Sequence, residues 1–168
     1  MTNLIAAIVL ALHTILPRVP MDRVESVTTD LVQVIEEEAA SDQGLEVSTE
    51  VASAMLAGAI AHESGLQESA ENCKPSGVGD GGRSVGLGQV MNGINWEGHS
   101  RTEICSDRKL QLRLSLRVLN RCIGRSPQPE FVFRCYTAGD GGVHSKAARS
   151  EYYFFTRILK NINDLKLI

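Results

Sequence analysis

A segment that is apolar on almost every side lies in the middle of the chain. Over residues 49–64 it is rich in alanine, valine, methionine and leucine, and polar residues mark mainly its ends. Ser48 suits the N-cap position, Glu50 falls in the first turn, and Gly65 is typical of a helix end. Because a helix that is apolar all round belongs in a core, the pattern predicts a central buried helix that ends near Glu63 and Ser64.

Further helices are predicted on both sides of this central one. Residues 22–40 repeat apolar side chains at helical intervals, but the glutamates at 36–38 oppose the helix dipole and predict fraying there. Residues 107–122 alternate leucine as a strand would, yet their length, composition and Asp107 cap favour a helix. With residues 129–138 and 145–161 also helical, the predicted fold class is mainly α.

The first residues leave two interpretations open. Residues 4–16 form an apolar run stopped by Pro17, shorter than the roughly 20 apolar residues of a membrane span. The run is either a buried N-terminal helix or a poor export signal, since no Lys or Arg precedes it and no clear cleavage site follows. We divide the chain into an N-terminal helical segment, residues 1–47, and a main domain, residues 48–168. No stable membrane span is predicted.

Regular patterning stops between residues 67 and 95, where glycine is dense. Such a segment is typical of tight turns or a short β-hairpin, and it also lets the backbone approach a ligand closely. Long ordered loops inside a compact domain usually serve function. The Asp-Gly-Gly triplets at 80–82 and 140–142 lack a full set of calcium ligands, so we interpret both as turns.

The composition describes one globular domain and argues against a polyanionic partner. The chain has 168 residues, of which 43% are apolar and 22% charged, and a formal net charge of −3. Nucleic-acid binding usually needs a basic face, and no block of Lys or Arg is present. Four arginines recur at four-residue intervals, which we interpret as a solvated helix face rather than a phosphate-binding stripe. They are Arg113, Arg117, Arg121 and Arg125.

The cysteines match no metal site and leave their oxidation state open. There are four of them, Cys73, Cys105, Cys122 and Cys135. Their spacing matches no zinc motif. An even number allows two disulfides, with three possible connectivities, and four unpaired buried thiols are the alternative. Disulfides suit an extracytoplasmic protein. No i, i+4 pair occurs among the histidines weighed as metal ligands, which are His62, His99 and His144.

Glu63 lies where two effects disfavour its charge. Apolar surroundings cost an ionised carboxylate its hydration, and the C-terminal end of a helix carries a partial negative charge. Both effects raise the pKa of a carboxyl group, and one that stays protonated near neutral pH can protonate a glycosidic oxygen. Position alone favours a solvated glutamate at a fraying helix end, so the assignment of Glu63 as an acid depends on the motifs that follow.

Two motifs follow Glu63-Ser64 along the chain. Residues 84–89, Ser-Val-Gly-Leu-Gly-Gln, lie in the glycine-rich segment, where small residues admit a polymer and an amide offers hydrogen bonds. Residues 135–139, Cys-Tyr-Thr-Ala-Gly, end a predicted helix beside a turn. In this order the motifs resemble the soluble lytic transglycosylase group of the lysozyme-like superfamily, which also contains goose-type lysozymes. Gly88 and Thr137 depart from the Met and Asn common in that group.

The resemblance covers residues 51–159 and implies an α+β lysozyme-like fold with a substrate cleft. It implies that Glu63 acts as acid and then base in cleaving the β-1,4 bond between N-acetylmuramic acid and N-acetylglucosamine of peptidoglycan. The products would end in 1,6-anhydro sugars, with no metal and no cofactor. We expect a monomer outside the cytoplasm whose partner is the glycan strand, and this setting favours two disulfides over free thiols. Substrate contacts are implied for Ser64, Ser84, Gly86, Leu87, Gln89, Tyr136, Ala138, Gly139, Tyr152 and Tyr153.

The last two residues of that set are alternatives for a single role. Many relatives carry a tyrosine on the last helix that reaches the catalytic glutamate, and the sequence does not decide between Tyr152 and Tyr153.

Two other functions remain open. A hydrolase of the same fold would need a second carboxylate, and the candidates are Glu68, Glu71, Asp80 and Glu97. The chain could instead be a non-catalytic wall-binding component of a phage or secretion apparatus. The changes at Gly88 and Thr137 favour that alternative, and the presence of Glu63, Gln89 and Tyr136 opposes it.

Overall fold

The computed structural model describes residues 2–41, 44–138 and 146–166. Over these ranges the chain is mainly helical, as predicted, with one small antiparallel sheet. The helices are α1 (Thr2–Ile15), α2 (Met21–Ala39), α3 (Thr49–Glu63), α4 (Glu68–Glu71), α5 (Arg101–Ser106), α6 (Arg108–Arg125), α7 (Pro129–Ala138) and α8 (Lys146–Lys166). The strands are β1 (Ser84–Val85) and β2 (Val90–Met91).

Helix α3 is the central helix, as its apolar pattern predicts. Its residues 52–61 are all buried, and it packs against α8, α2, α6 and α1. The Ser48 hydroxyl accepts a hydrogen bond from the Val51 amide at the N-cap. A Cβ atom added at Gly58 would lie 3.0 Å from the backbone nitrogen of Phe155. The glycine therefore lets α8 approach the backbone of α3 closely.

The N-terminal apolar run is a packed helix in this structure. Ile8 and Leu12 on α1 are fully buried, and α1 contacts α8, α2 and α3. One hydrophobic core joins residues from α1 and α2 with residues from α3, α6, α7 and α8. Across the described ranges, no helix is both long enough and apolar enough to cross a membrane.

Helix α2 does not fray at its acidic end, so that expectation was wrong. Glu38 is 8% exposed, and its carboxylate lies 3.1 Å from Arg113 and 3.2 Å from Arg117 on α6. Arg117 and Arg121 also pair with Glu97. The arginine series is therefore not simply a solvated face. These cations neutralise the acidic helix end from across the α2–α6 interface, which no pattern within α2 reveals.

Glu38→Ala is expected to lower the free energy of unfolding by about 1–2 kcal/mol, because two partly buried guanidinium groups lose a shared partner. Glu37→Ala is the matched control. The Glu37 side chain is 44% exposed, pairs with Arg113 and accepts an exposed hydrogen bond from Gln33, so its loss should cost less than about 0.5 kcal/mol. Urea unfolding at neutral pH measures both. Equal losses would contradict the role given to Glu38.

Helix α6 explains the alternating leucines. Leu112, Leu116 and Leu119 face the main core. Leu114 faces a second, smaller core with Val85, Val90, Trp96 and Ile104, against which Leu110 and Val118 also pack. Each set keeps helical spacing. Their interleaving imitates a strand because α6 is buried on two sides.

The glycine-rich segment forms a small lobe that covers the second core. It contains α4, the two strands and 3₁₀ turns at Pro75–Gly77, Asp80–Gly82 and Ile94–Trp96. The prediction of two disulfides is confirmed, with the connectivity Cys73–Cys105 and Cys122–Cys135. The first links the lobe to α5 and the second links α6 to α7. A cleft lies where this lobe meets the helices.

Candidate active site

The cleft lies between the end of α3, the lobe, and helices α6 and α7. Its volume is about 670 Å³, within the range of small-molecule binding sites. Polar and titratable side chains on its walls include Glu63, Asp80, Gln89, Arg121 and Tyr136. The predicted acid thus shares one cavity with residues from both other motifs, which lie tens of residues away along the chain.

Glu63 ends α3 at the wall of this cleft and is partly buried. Burial is the largest cause that raises the pKa of its carboxyl group, and the negative charge of Asp80 raises it further. The neighbouring Glu151 carboxyl acts in the opposite direction, with the net pKa of Glu63 above the ordinary value. The site therefore favours the protonated form of Glu63, as a general acid requires.

Glu151 on α8 was missed by the sequence analysis. Its side chain is 0% exposed, and its carboxyl interacts with that of Glu63. Burial, followed by repulsion from Glu63, raises the pKa of Glu151 to about 10. Glu151 falls on the same face of α8 as Phe155, Ile158 and Ile162, all buried. A glutamate on an otherwise apolar helix face is the sequence feature from which Glu151 could have been predicted.

The buried carboxyl of Glu151 makes stability depend on pH. The folded protein holds a proton that the unfolded chain releases near the ordinary pKa of 4.5, so stability is greatest below that pH and declines as pH rises toward about 10. Glu151→Gln removes this penalty. We expect the free energy of unfolding of the variant to be about 1–2 kcal/mol higher than that of wild type at pH 8. At about pH 4.5 the two values should be equal. Urea unfolding at both pH values checks this, and a wild-type protein that gains stability on raising the pH would contradict it.

Tyr136 connects α7 to the lobe. Its hydroxyl donates a hydrogen bond of 2.7 Å to the Gly88 carbonyl oxygen, and burial is the main cause that raises its pKa. A Cβ atom at Gly88 would lie 2.5 Å from the Tyr136 hydroxyl and 2.8 Å from Ser115 Cβ. The glycine is thus required by close packing against α6 and α7.

Gln89 and Ser84 line the cleft, but their donors are engaged within the lobe. Gln89 Nε2 donates to the carbonyl oxygens of Gly77 and Gly86, at 2.9 and 2.8 Å. The Ser84 hydroxyl donates to the Asp80 carboxylate at 2.8 Å. The Gln89 bonds join parts of the lobe, and the Ser84 bond holds the Asp80 carboxylate, which lines the cleft.

No protein-family model, curated protein or solved structure matches this chain. The family resemblance therefore depends on the motif residues of the sequence.

Three residues expected to bind substrate do not line the cleft, and we correct those predictions. The Ser64 hydroxyl donates to the Ile60 carbonyl and accepts from the Leu66 amide, so it terminates α3. Leu87 is fully buried in the main core. Gly86 packs against Gln111, whose side-chain oxygen accepts the Leu87 amide hydrogen. Gly86 and Leu87 therefore hold the lobe against the helices.

The tyrosines of the last helix do not reach Glu63, so that prediction was also wrong. The Tyr152 hydroxyl donates to Glu130, which raises the pKa of the tyrosine. Tyr153 is 52% exposed and accepts a hydrogen bond from Arg157. The rotation of α8 brings Glu151 to Glu63 and turns its two neighbours away. Ala138 is the last residue of α7, while Gly139, the 140–142 triplet and His144 lie outside the described residues.

Of the four candidate second carboxylates, Asp80 is the one on the cleft. Glu71 pairs with Arg23 and Arg108, and Glu97 pairs with Arg117 and Arg121. The fourth, Glu68, is exposed. Asp80 is the only one of the four whose charge is among the causes that raise the pKa of Glu63. It is therefore the group to test for a second carboxylate function.

Proposed function

We propose that the protein is a peptidoglycan lytic transglycosylase of the lysozyme-like superfamily, with Glu63 as its single acid and base. The observation that carries this proposal is a partly buried carboxyl with a raised pKa on the wall of a polar cleft. Gln89 and Tyr136 of the two other motifs line the same cleft. A proton held on Glu63 would pass to the glycosidic oxygen as its bond to C1 breaks.

The second step of the proposed reaction uses the same residue. The Glu63 carboxylate takes the proton of the C6 hydroxyl, whose oxygen then bonds to C1 and closes the 1,6-anhydro ring. No water enters the products. Asp80 would remain an unreactive neighbour that raises the pKa of Glu63. The two disulfides support a setting outside the cytoplasm, where peptidoglycan lies.

Hydrolysis is the second candidate, and the position of Asp80 favours it. Asp80 lines the cleft with Glu63, and the two carboxyl groups interact electrostatically. In a hydrolase of this fold, Asp80 would activate water or stabilise the sugar cation. The two reactions share Glu63 as acid, and they differ in whether a water molecule appears in the product.

Digestion of purified peptidoglycan by wild type and Asp80→Asn tests both candidates. We expect wild type to release 1,6-anhydro muropeptides by mass spectrometry, and Asp80→Asn to retain activity with the same products. Products heavier by one water, together with loss of activity in Asp80→Asn, would replace transglycosylation by hydrolysis. Absence of any cleavage by folded wild type would favour a non-catalytic wall-binding component.

A further inference from the structure

A second carboxyl lies beside Glu63, and the described part of the chain pairs it with no cation. Glu151 is on the buried face of α8, where the following positions are Phe155, Ile158 and Ile162. Among the residues that the structure describes, neither carboxyl oxygen of Glu151 has an N–H or O–H hydrogen-bond donor, and no ion pair involves it. The Glu151 carboxyl interacts with the Glu63 carboxyl.

The helices packed against α8 offer few titratable or charged groups. α8 packs against α3, α1 and α7. Their titratable or charged side chains are Glu50, His62 and Glu63 on α3, His13 on α1, and Glu130, Arg134 and Tyr136 on α7. Glu63 and Tyr136 interact electrostatically with Glu151, and both interactions oppose a second negative charge at the site.

Two adjacent carboxyl groups in such a place cannot both be ionised. Burying an isolated carboxylate is costly, and a like charge in contact adds to that cost. A hydrogen bond between two carboxyl groups requires that one of them hold a proton, since ionised carboxylates only accept. Glu151 is the more deeply buried of the two, so the proton is best placed there.

We propose that Glu151 keeps its proton in the folded protein and donates a hydrogen bond to the Glu63 carboxyl, so that the two groups titrate as one unit. Glu151 is then a positioning residue that orients Glu63 and stabilises its carboxylate. Asp80, which lies in the lobe, has the opposite effect, because its charge raises the pKa of Glu63. The catalytic consequence rests on the proposed function, because Glu63 would alternate between acid and base. The shared proton between Glu151 and Glu63 does not depend on the proposed function.

Carbon-13 NMR of glutamate-labelled protein tests the shared proton without an activity assay. The δ-carbon signals are assigned with Glu63→Gln and Glu151→Gln, and the pH is raised from about 3 to about 10. We expect the two signals to shift together, with one step well above the ordinary range of a glutamate. In Glu151→Gln, whose amide still donates, Glu63 should titrate in a single step.

Glu151→Leu is the matched variant that removes the donor while retaining an apolar side chain of similar size. The titration of Glu63 should then move upward by about one pH unit relative to Glu151→Gln, because a hydrogen bond to the charged form has been lost. The pH profile of peptidoglycan lysis should move in the same direction. The pH profile of lysis by Glu151→Gln should match that of wild type, because the amide still donates a hydrogen bond. If Glu151 only filled space, Glu151→Leu would match the wild-type profile equally well.

The results separate this proposal from the proposed function. A wild-type Glu151 that titrates near 4.5, or a Glu63 titration that is identical in Glu151→Gln and Glu151→Leu, overturns the shared proton even if the enzyme cleaves peptidoglycan. If the two carboxyl groups titrate together but the protein cleaves no peptidoglycan, the shared proton is supported and the proposed function is wrong. Circular dichroism of both variants at each pH excludes unfolding as the cause.

Discussion

Glu63→Gln is expected to lower the rate of peptidoglycan cleavage about 10²- to 10⁴-fold, because the side-chain amide cannot deliver a proton to the glycosidic oxygen. The substitution keeps the size of the side chain and removes a partly buried acid whose pKa is raised. The free energy of unfolding should therefore stay the same or increase slightly. Release of soluble muropeptides from purified peptidoglycan, measured over time, gives the rate.

Glu68→Gln is the matched control for this loss. Glu68 is an exposed glutamate at the start of α4, five residues from Glu63, and does not line the cleft. The same chemical change there should leave the rate of cleavage unchanged. If wild type and Glu63→Gln release muropeptides equally fast, Glu63 is not the acid and the proposed mechanism is wrong.

Gly88→Ala is expected to destabilise the protein by about 2–3 kcal/mol and to lower its activity. The added methyl group would lie within 3.0 Å of Ser115 and of the Tyr136 hydroxyl. Ser115 is fully buried and its hydroxyl already donates to the Gln111 carbonyl, so it has little room to move. Either α7 or the lobe must shift, and the hydrogen bond from Tyr136 to Gly88 lengthens. Urea unfolding measures the loss of stability.

Gly124→Ala gives the same substitution where space is available. Gly124 lies in the last turn of α6, and the nearest atom to an added Cβ is a Glu46 carboxylate oxygen at 3.8 Å. Because alanine favours a helix more than glycine does, this variant should be neutral or more stable by up to about 1 kcal/mol. Destabilisation of Gly88→Ala no greater than that of Gly124→Ala would show that the lobe is not packed tightly against Ser115 and Tyr136.

Local patterns along the chain predicted most of the helices. The apolar run of α3, the Ser48 cap and the intervals of α2 depend on residues within a turn or two of one another. The leucine alternation of α6 was ambiguous for a physical reason. Leu112 and Leu114 face different cores, and a single sequence does not show that the lobe supplies the second one.

The candidate site was predicted in part. Glu63, Ser84, Gln89 and Tyr136 line one cleft. Leu87 and Ser64 were assigned to the substrate by their place in a motif, although their side chains hold the lobe and the end of α3. Glu151 was not predicted, because the resemblance implies a tyrosine rather than a glutamate at this place on the last helix. Counting back four residues from Phe155 along the buried face of α8 reaches it directly.

The amino-acid sequence by itself determined where most of the long helices lie, which of them is central, and that a glutamate ends it beside a glycine-rich segment. The tertiary structure decided which carboxyl groups meet. Glu63, Asp80 and Glu151 come from three elements separated by many residues, and their charges interact only because α8 and the lobe pack against the end of α3. Propensity and periodicity report on chain neighbours, whereas the pKa of a carboxyl group depends on every charge and apolar surface around it.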